Sequence, residues 1–138
     1  MSEPTPNIPR PTPAPSPTTA PYWEALGRGE LLLQRCATCT AWVHYPRRRC
    51  PVCMSNQLGW EPVEPVGTIH TFTVARRATA VPFASDVPQI IAIVELANGV
   101  KMTTTLTDVQ PDRLRIGQPV HGVYEHQDDG TTLLRFTL

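Results

Sequence analysis

Every cysteine of the chain stands in one short stretch, "CATCTAWVHYPRRRCPVC" (residues 36–53), as two CxxC pairs with ten residues between them. Each pair bends its backbone so that two thiolates can reach one ion at about 2.3 Å, and two such knuckles complete a tetrahedral sphere. Cys36, Cys39, Cys50 and Cys53 are therefore the expected metal ligands. A closed four-sulfur sphere leaves no position for water or substrate, so the metal is expected to be structural. Zinc is the expected occupant because nothing else in the chain points to electron transfer; iron, as in a rubredoxin-like site, satisfies the same ligands. The chain shows no positive-then-apolar secretory leader, and metal-bound thiols in a reduced, cytoplasmic setting are expected rather than disulfides.

A metal would also answer a problem of size. Eight of the 16 prolines fall within the first 21 residues, spaced by Ser, Thr and Ala with almost nothing apolar between them. Residues 1–20 are expected to form an extended, disordered tail or linker with polyproline character. Residues 21–138 then hold two small lobes, whose divided core is marginal unless metal binding contributes to folding. "PYWEALGRGE" predicts a short amphipathic helix, with proline in its first turn and an end at Gly27 or Gly29. Tyr22, Trp23 and Leu26 are its apolar members, available either to their own domain or to a partner. The helix and its lead-in occupy 21–33, the ribbon 34–61.

From residue 62 onward the pattern becomes that of longer strands: 66–76, 89–96, 100–106, 119–125 and 131–138. In the first, Ile69, Thr71 and Thr73 alternate with His70, Phe72 and Val74; the second, "QIIAIVEL", is apolar throughout and reads as central. Asn98-Gly99 and Asp129-Gly130 signal tight hairpins. "DVQPDRLRIG" holds at most one helical turn, ending at Gly117. Five strands with a short turn between the third and fourth suit an OB-fold barrel; a five-stranded open sheet fits the periodicity equally well.

No Gly-rich phosphate loop, nucleophile elbow or HExxH occurs, and His44, His70, His121 and His126 are scattered. The chain reads as a binding or accessory module without catalytic residues. The formal net charge is zero, which argues against a dedicated nucleic-acid protein, although ribbons and OB-folds both serve that purpose elsewhere. No stretch approaches the ~20 apolar residues of a membrane span. Arg47, Arg48 and Arg49, in the loop presenting the second knuckle, either form a solvated turn near the charged metal centre or contact a phosphate or a docking partner.

The series "PYWEALGRGELLLQRCATCTAWVHYPRRRCPVC", "LGWEPVEPVGTIHTFTVARR", "VPQIIAIVELANGVKMTTTL" and "DRLRIGQPVHGVYEHQDDGTTLLRF" resembles the DUF35 family over residues 21–138. That resemblance implies a mainly β protein: a short N-terminal helix, a rubredoxin-like zinc ribbon and a C-terminal five-stranded OB-fold barrel over 62–138. It implies a non-catalytic partner of thiolase-fold, lipid-transfer-protein-like enzymes in a hetero-oligomer acting on acyl-CoA. The expected enzyme is a retro-aldol lyase cleaving steroid side-chain CoA esters; an acyltransferase, thiolase or synthase complex is the alternative, and a MaoC-type hydratase a further partner. On the family's pattern, Tyr22, Trp23 and Leu26 and the ribbon arginines face the partner, while Arg76, Arg77, Phe83 and Lys101 are candidates for CoA. The family often has glycine after each knuckle, where this chain has Thr40 and Met54.

Overall fold

The computed structural model describes residues 8–138; of the tail or linker expected over residues 1–20, residues 1–7 lie outside the described residues. Residues 8–15 have no regular secondary structure and lead into a turn, where Ser16 and Thr19 exchange side-chain and backbone hydrogen bonds before the helix begins. That helix, α1 (Ala20–Gly27), has proline in its first turn, where the missing N–H would have had no helical partner. Three strands follow, β1 (Leu32–Cys36), β2 (Trp42–Val43) and β3 (Leu58–Pro62), forming an antiparallel sheet in the order β2-β1-β3.

The remaining five strands are β4 (Val66–Ala75), β5 (Gln89–Leu96), β6 (Lys101–Leu106), β7 (Pro119–His126) and β8 (Thr132–Thr137). They close into a barrel in the order β4-β5-β6-β8-β7. A parallel contact between β6 and β8 at Leu106 and Phe136, with β4 pairing β7, joins the sheet's ends; the fold is therefore an OB barrel and not an open sheet. Only a 3₁₀ turn, Pro111–Arg113, occupies the β6–β7 connection, and another, Val81–Asp86, lies between β4 and β5.

Closure changes what two strands mean. In β5 only Ile90, Ala92, Val94 and Leu96 point into the core, while Ile91 and Ile93 are half-exposed on the outside, so the apolar run is not buried on both faces. In β4 a register shift between Ile69 and Thr71 places an extra residue against β5. The bulge inverts the alternation: Ile69 is buried, and beyond it Phe72 and Val74 pack on the core while Thr71 and Thr73 face outward. Gly67 marks the tightest approach, since a Cβ there would lie 2.2 Å from the Glu95 carbonyl oxygen. No other residue fits without moving a strand.

The helix joins the two sheets. It packs on β1 and on β7 and β8, and its Tyr22 and Leu26 belong to the same buried cluster as Leu33 of β1 and Phe136 of the barrel. Leu26 is fully buried and Tyr22 is 5% exposed, so these two side chains serve the chain's own core and are not free for a partner. The reason is geometric: a short helix between two small lobes fills the apolar space that both leave open. Trp23 keeps a half-exposed face.

Candidate metal centre and ligand surfaces

Cys36 ends β1, and a turn brings Cys39 back towards it; the second knuckle, Cys50–Cys53, repeats the geometry after the arginine loop. In each, the residue after the knuckle donates its N–H to the carbonyl of the first cysteine, Thr40 to Cys36 and Met54 to Cys50, both at 2.9 Å. A 2.8 Å hydrogen bond between the Thr38 and Ser55 hydroxyls ties the two knuckles together. The Cys36 and Cys53 sulfurs lie 3.6 Å apart, those of Cys39 and Cys50 3.5 Å, and all four lie within 4.8 Å of one another. Tetrahedral bonds of about 2.3 Å to one zinc require sulfurs about 3.8 Å apart. The residues fit the ion.

The electrostatics also call for a cation. The knuckle N–H of Cys39 holds the Cys36 thiol down to about 6, and that of Cys53 lowers Cys50. For Cys39 the N–H of Ala41 pulls downward, but burial and the neighbouring sulfurs push the thiol up to about 12. Four thiolates at this spacing need a cation between them.

Thr40 and Met54 have φ of 64° and 66°, left-handed values that favour glycine. The departure from the family's glycines therefore leaves strain in both knuckles without removing a ligand. Met54 is exposed, so Met54→Gly loses little packing. We expect Met54→Gly to stabilise the protein by about 0.5–1 kcal/mol, the relief of the left-handed conformation less the added chain entropy. The midpoint of urea unfolding measures it.

Arg47, Arg48 and Arg49 are exposed, and among the described residues none is paired with a carboxylate. Their loop is nevertheless fixed. The buried Gln34 amide donates to the Arg47 carbonyl at 2.9 Å and accepts from the Arg47 N–H at 2.8 Å. Arg49 donates to the Met54 carbonyl at 3.1 Å. Gln34→Ala would strip both bonds and leave the Arg47 backbone unpaired, a loss of about 2 kcal/mol measurable by thermal unfolding. Nothing in the sequence marked Gln34: it follows three leucines, Leu31 to Leu33, and reads as an ordinary strand position.

The CoA candidates divide into two places. Arg76 and Arg77 are exposed just beyond β4, and half-buried Phe83 lies on the 3₁₀ turn that follows. Lys101 starts β6 opposite Glu95, at the other end of β5, beside Trp42, His44 and Asn98. The register from Gln89, which pairs with Ala75, to Glu95 puts about 20 Å between the two places. The histidines also lie apart. His70 pairs loosely with Glu95 at 3.6 Å, His126 bonds Thr132 at 2.8 Å, and burial lowers the pKa of His44.

A four-cysteine ribbon wedged by a helix onto an OB barrel defines a two-module β protein built around a structural metal. Residues 23–58 match the ChsH2 rubredoxin-like zinc ribbon domain, and residues 60–125 the ChsH2 C-terminal OB-fold domain. A DUF35 domain-containing scaffold protein of Methanocaldococcus jannaschii is 32% identical over 103 residues, covering 70% of this chain and 71% of the relative. The chain belongs to the DUF35 family, and its four cysteines form the zinc site of that family's ribbon.

A probable enoyl-CoA hydratase alpha subunit of Thermomonospora curvata is 36% identical over 122 residues, or 87% of this chain. A 3-oxo-4,17-pregnadiene-20-carboxyl-CoA hydratase alpha subunit of Mycobacterium tuberculosis is 35% identical over 117 residues, or 81% of this chain. The chain spans only 37% and 35% of those two proteins. Among solved structures, a chain of the Ltp2-ChsH2(DUF35) aldolase superposes with a TM-score of 0.81 at 31% identity, covering 91% of this chain and 98% of that one. A DUF35 protein of unknown function from Sulfolobus solfataricus, 12% identical with a TM-score of 0.60 over 88% of this chain and 85% of its own, shares the fold alone.

Proposed function

We propose that the chain is a non-catalytic accessory subunit that binds and stabilises a thiolase-fold, lipid-transfer-protein-like enzyme acting on acyl-CoA thioesters. The observation that carries this reading is the likeness to a chain of the Ltp2-ChsH2(DUF35) aldolase over nearly the whole length of both. The enzyme we assign to it is a retro-aldol lyase of steroid side-chain CoA esters, a substrate class to which a relative's steroid carboxyl-CoA also points. The two hydratase alpha subunits support a second reading, in which the same module serves an acyl-CoA hydratase complex.

Trp23, exposed Tyr45 and the arginine loop offer the partner an aromatic and cationic surface. Beside them the outer barrel face presents two uncharged cross-strand rows, Thr73–Ile91–Thr105 and Thr71–Ile93–Thr103. For CoA, Arg76, Arg77 and Phe83 supply cations for phosphate and a ring for adenine at one end of the barrel. Lys101 is too far from them to complete one compact headgroup site. A tagged pull-down from the native host, read by mass spectrometry, tests the assignment. A near-stoichiometric thiolase-fold protein is the expected result; recovery of nucleic acid, or of no thiolase relative, would overturn it.

A further inference from the structure

A segment of the chain's own N-terminal region lies across one mouth of the barrel. Residues Arg10 to Pro13 line a groove together with Phe83, Gln89, Gln127 and Leu133, between the 3₁₀ turn Val81–Asp86 and the β7–β8 hairpin. The Arg10 guanidinium lies 5.8 Å over the centre of the Phe83 ring and pairs with the Asp86 carboxylate. Two residues on, Thr12 lies across the groove from Gln127 and Leu133 of the opposite hairpin, whose turn is fixed by the Thr131 N–H donating to the Asp129 carboxylate at 2.9 Å. Pro11 and Pro13 favour an extended strand that loses little conformational freedom on docking and brings fewer backbone N–H groups needing partners.

We propose that this barrel mouth is a binding site for an arginine-bearing, proline-rich strand, filled in this chain by its own residues 10–13. The two loops it bridges join the first to the second and the fourth to the fifth barrel strands, the rim that OB-folds use for ligands. Arg10 takes the place of a ligand there: its flat cation covers the one aromatic ring on that turn, and Asp86 fixes its head. Resting on the functional reading above, the strand and an adenine nucleotide exclude one another at Phe83. The docking itself does not depend on that reading.

Hydrogen–deuterium exchange of the full chain tests it. Arg10→Glu, a change at an exposed position, is expected to raise exchange about five-fold in residues 80–87 and 127–131 and leave the barrel strands unchanged, since it removes one ion pair and one cation–π contact. Asp86→Ala is expected to do the same. An excess of a synthetic peptide of residues 8–15, added to the Arg10→Glu chain, should return both loops to wild-type exchange. Unchanged exchange in both variants, or a peptide without effect, would overturn the proposal. Failure to recover a thiolase-fold partner would leave these readings as they are, so the two claims fail separately.

Discussion

Cys50→Ser, or metal removal by a strong chelator, unfolds the ribbon and loosens the helix with it. Cys50 is fully buried, and only a short cluster of Cys36, Val43 and Cys50, with Cys39, Ala41 and Leu58 around it, stands behind the knuckles. That core is too small to hold two loops unaided, whereas a structural zinc contributes apparent binding of about 10–16 kcal/mol near neutral pH. The loss therefore rivals the roughly 5–15 kcal/mol net stability of a whole domain. Metal content and amide exchange of residues 34–61 check this. One zinc per chain is expected before chelation, and loss of protection across the ribbon after it. A metal-free chain with wild-type protection would show that the thiols pack without an ion.

Leu26→Ala is expected to cost about 2–5 kcal/mol, the penalty of a large cavity in a close-packed core. Leu26 is fully buried between β1, β7 and β8, so its loss weakens the ribbon's hold on the barrel as well as the core. Urea unfolding with the zinc bound measures it. Were Leu26 a partner-facing residue, the substitution would stay within about 0.5 kcal/mol, as surface changes usually do. The same variant should also show a more mobile ribbon relative to the barrel, a coupling that a purely local defect would lack.

The sequence revealed the elements better than their faces. CxxC spacing identified the metal site because ligand chemistry is local, and the Asn98-Gly99 turn and the β5 apolar run set that hairpin to within a residue. What stayed hidden depends on partners far along the chain. The bulge after Ile69 inverts β4 only because β5 lies beside it, and Gly67 is demanded by the carbonyl of Glu95. Tyr22 and Leu26 can serve either a core or a partner until two sheets are placed on either side of them. Gln34 and Arg10 carried no signal, since a single polar side chain in a strand or a proline-rich tail is ordinary until the loop it grips is known. The resemblance to DUF35 supplied the fold that periodicity left open, because the order of modules is more specific than the pattern within any one of them.

The accessory role is tested most directly by reconstitution. The thiolase-fold protein recovered with this chain would be produced with and without it, and the cleavage of a steroid side-chain CoA ester followed alongside that of a simple straight-chain thioester. Soluble, active enzyme only in the presence of the chain is the expected result, with the steroid ester cleaved preferentially. A thiolase-fold protein that is equally soluble and equally active alone would contradict it.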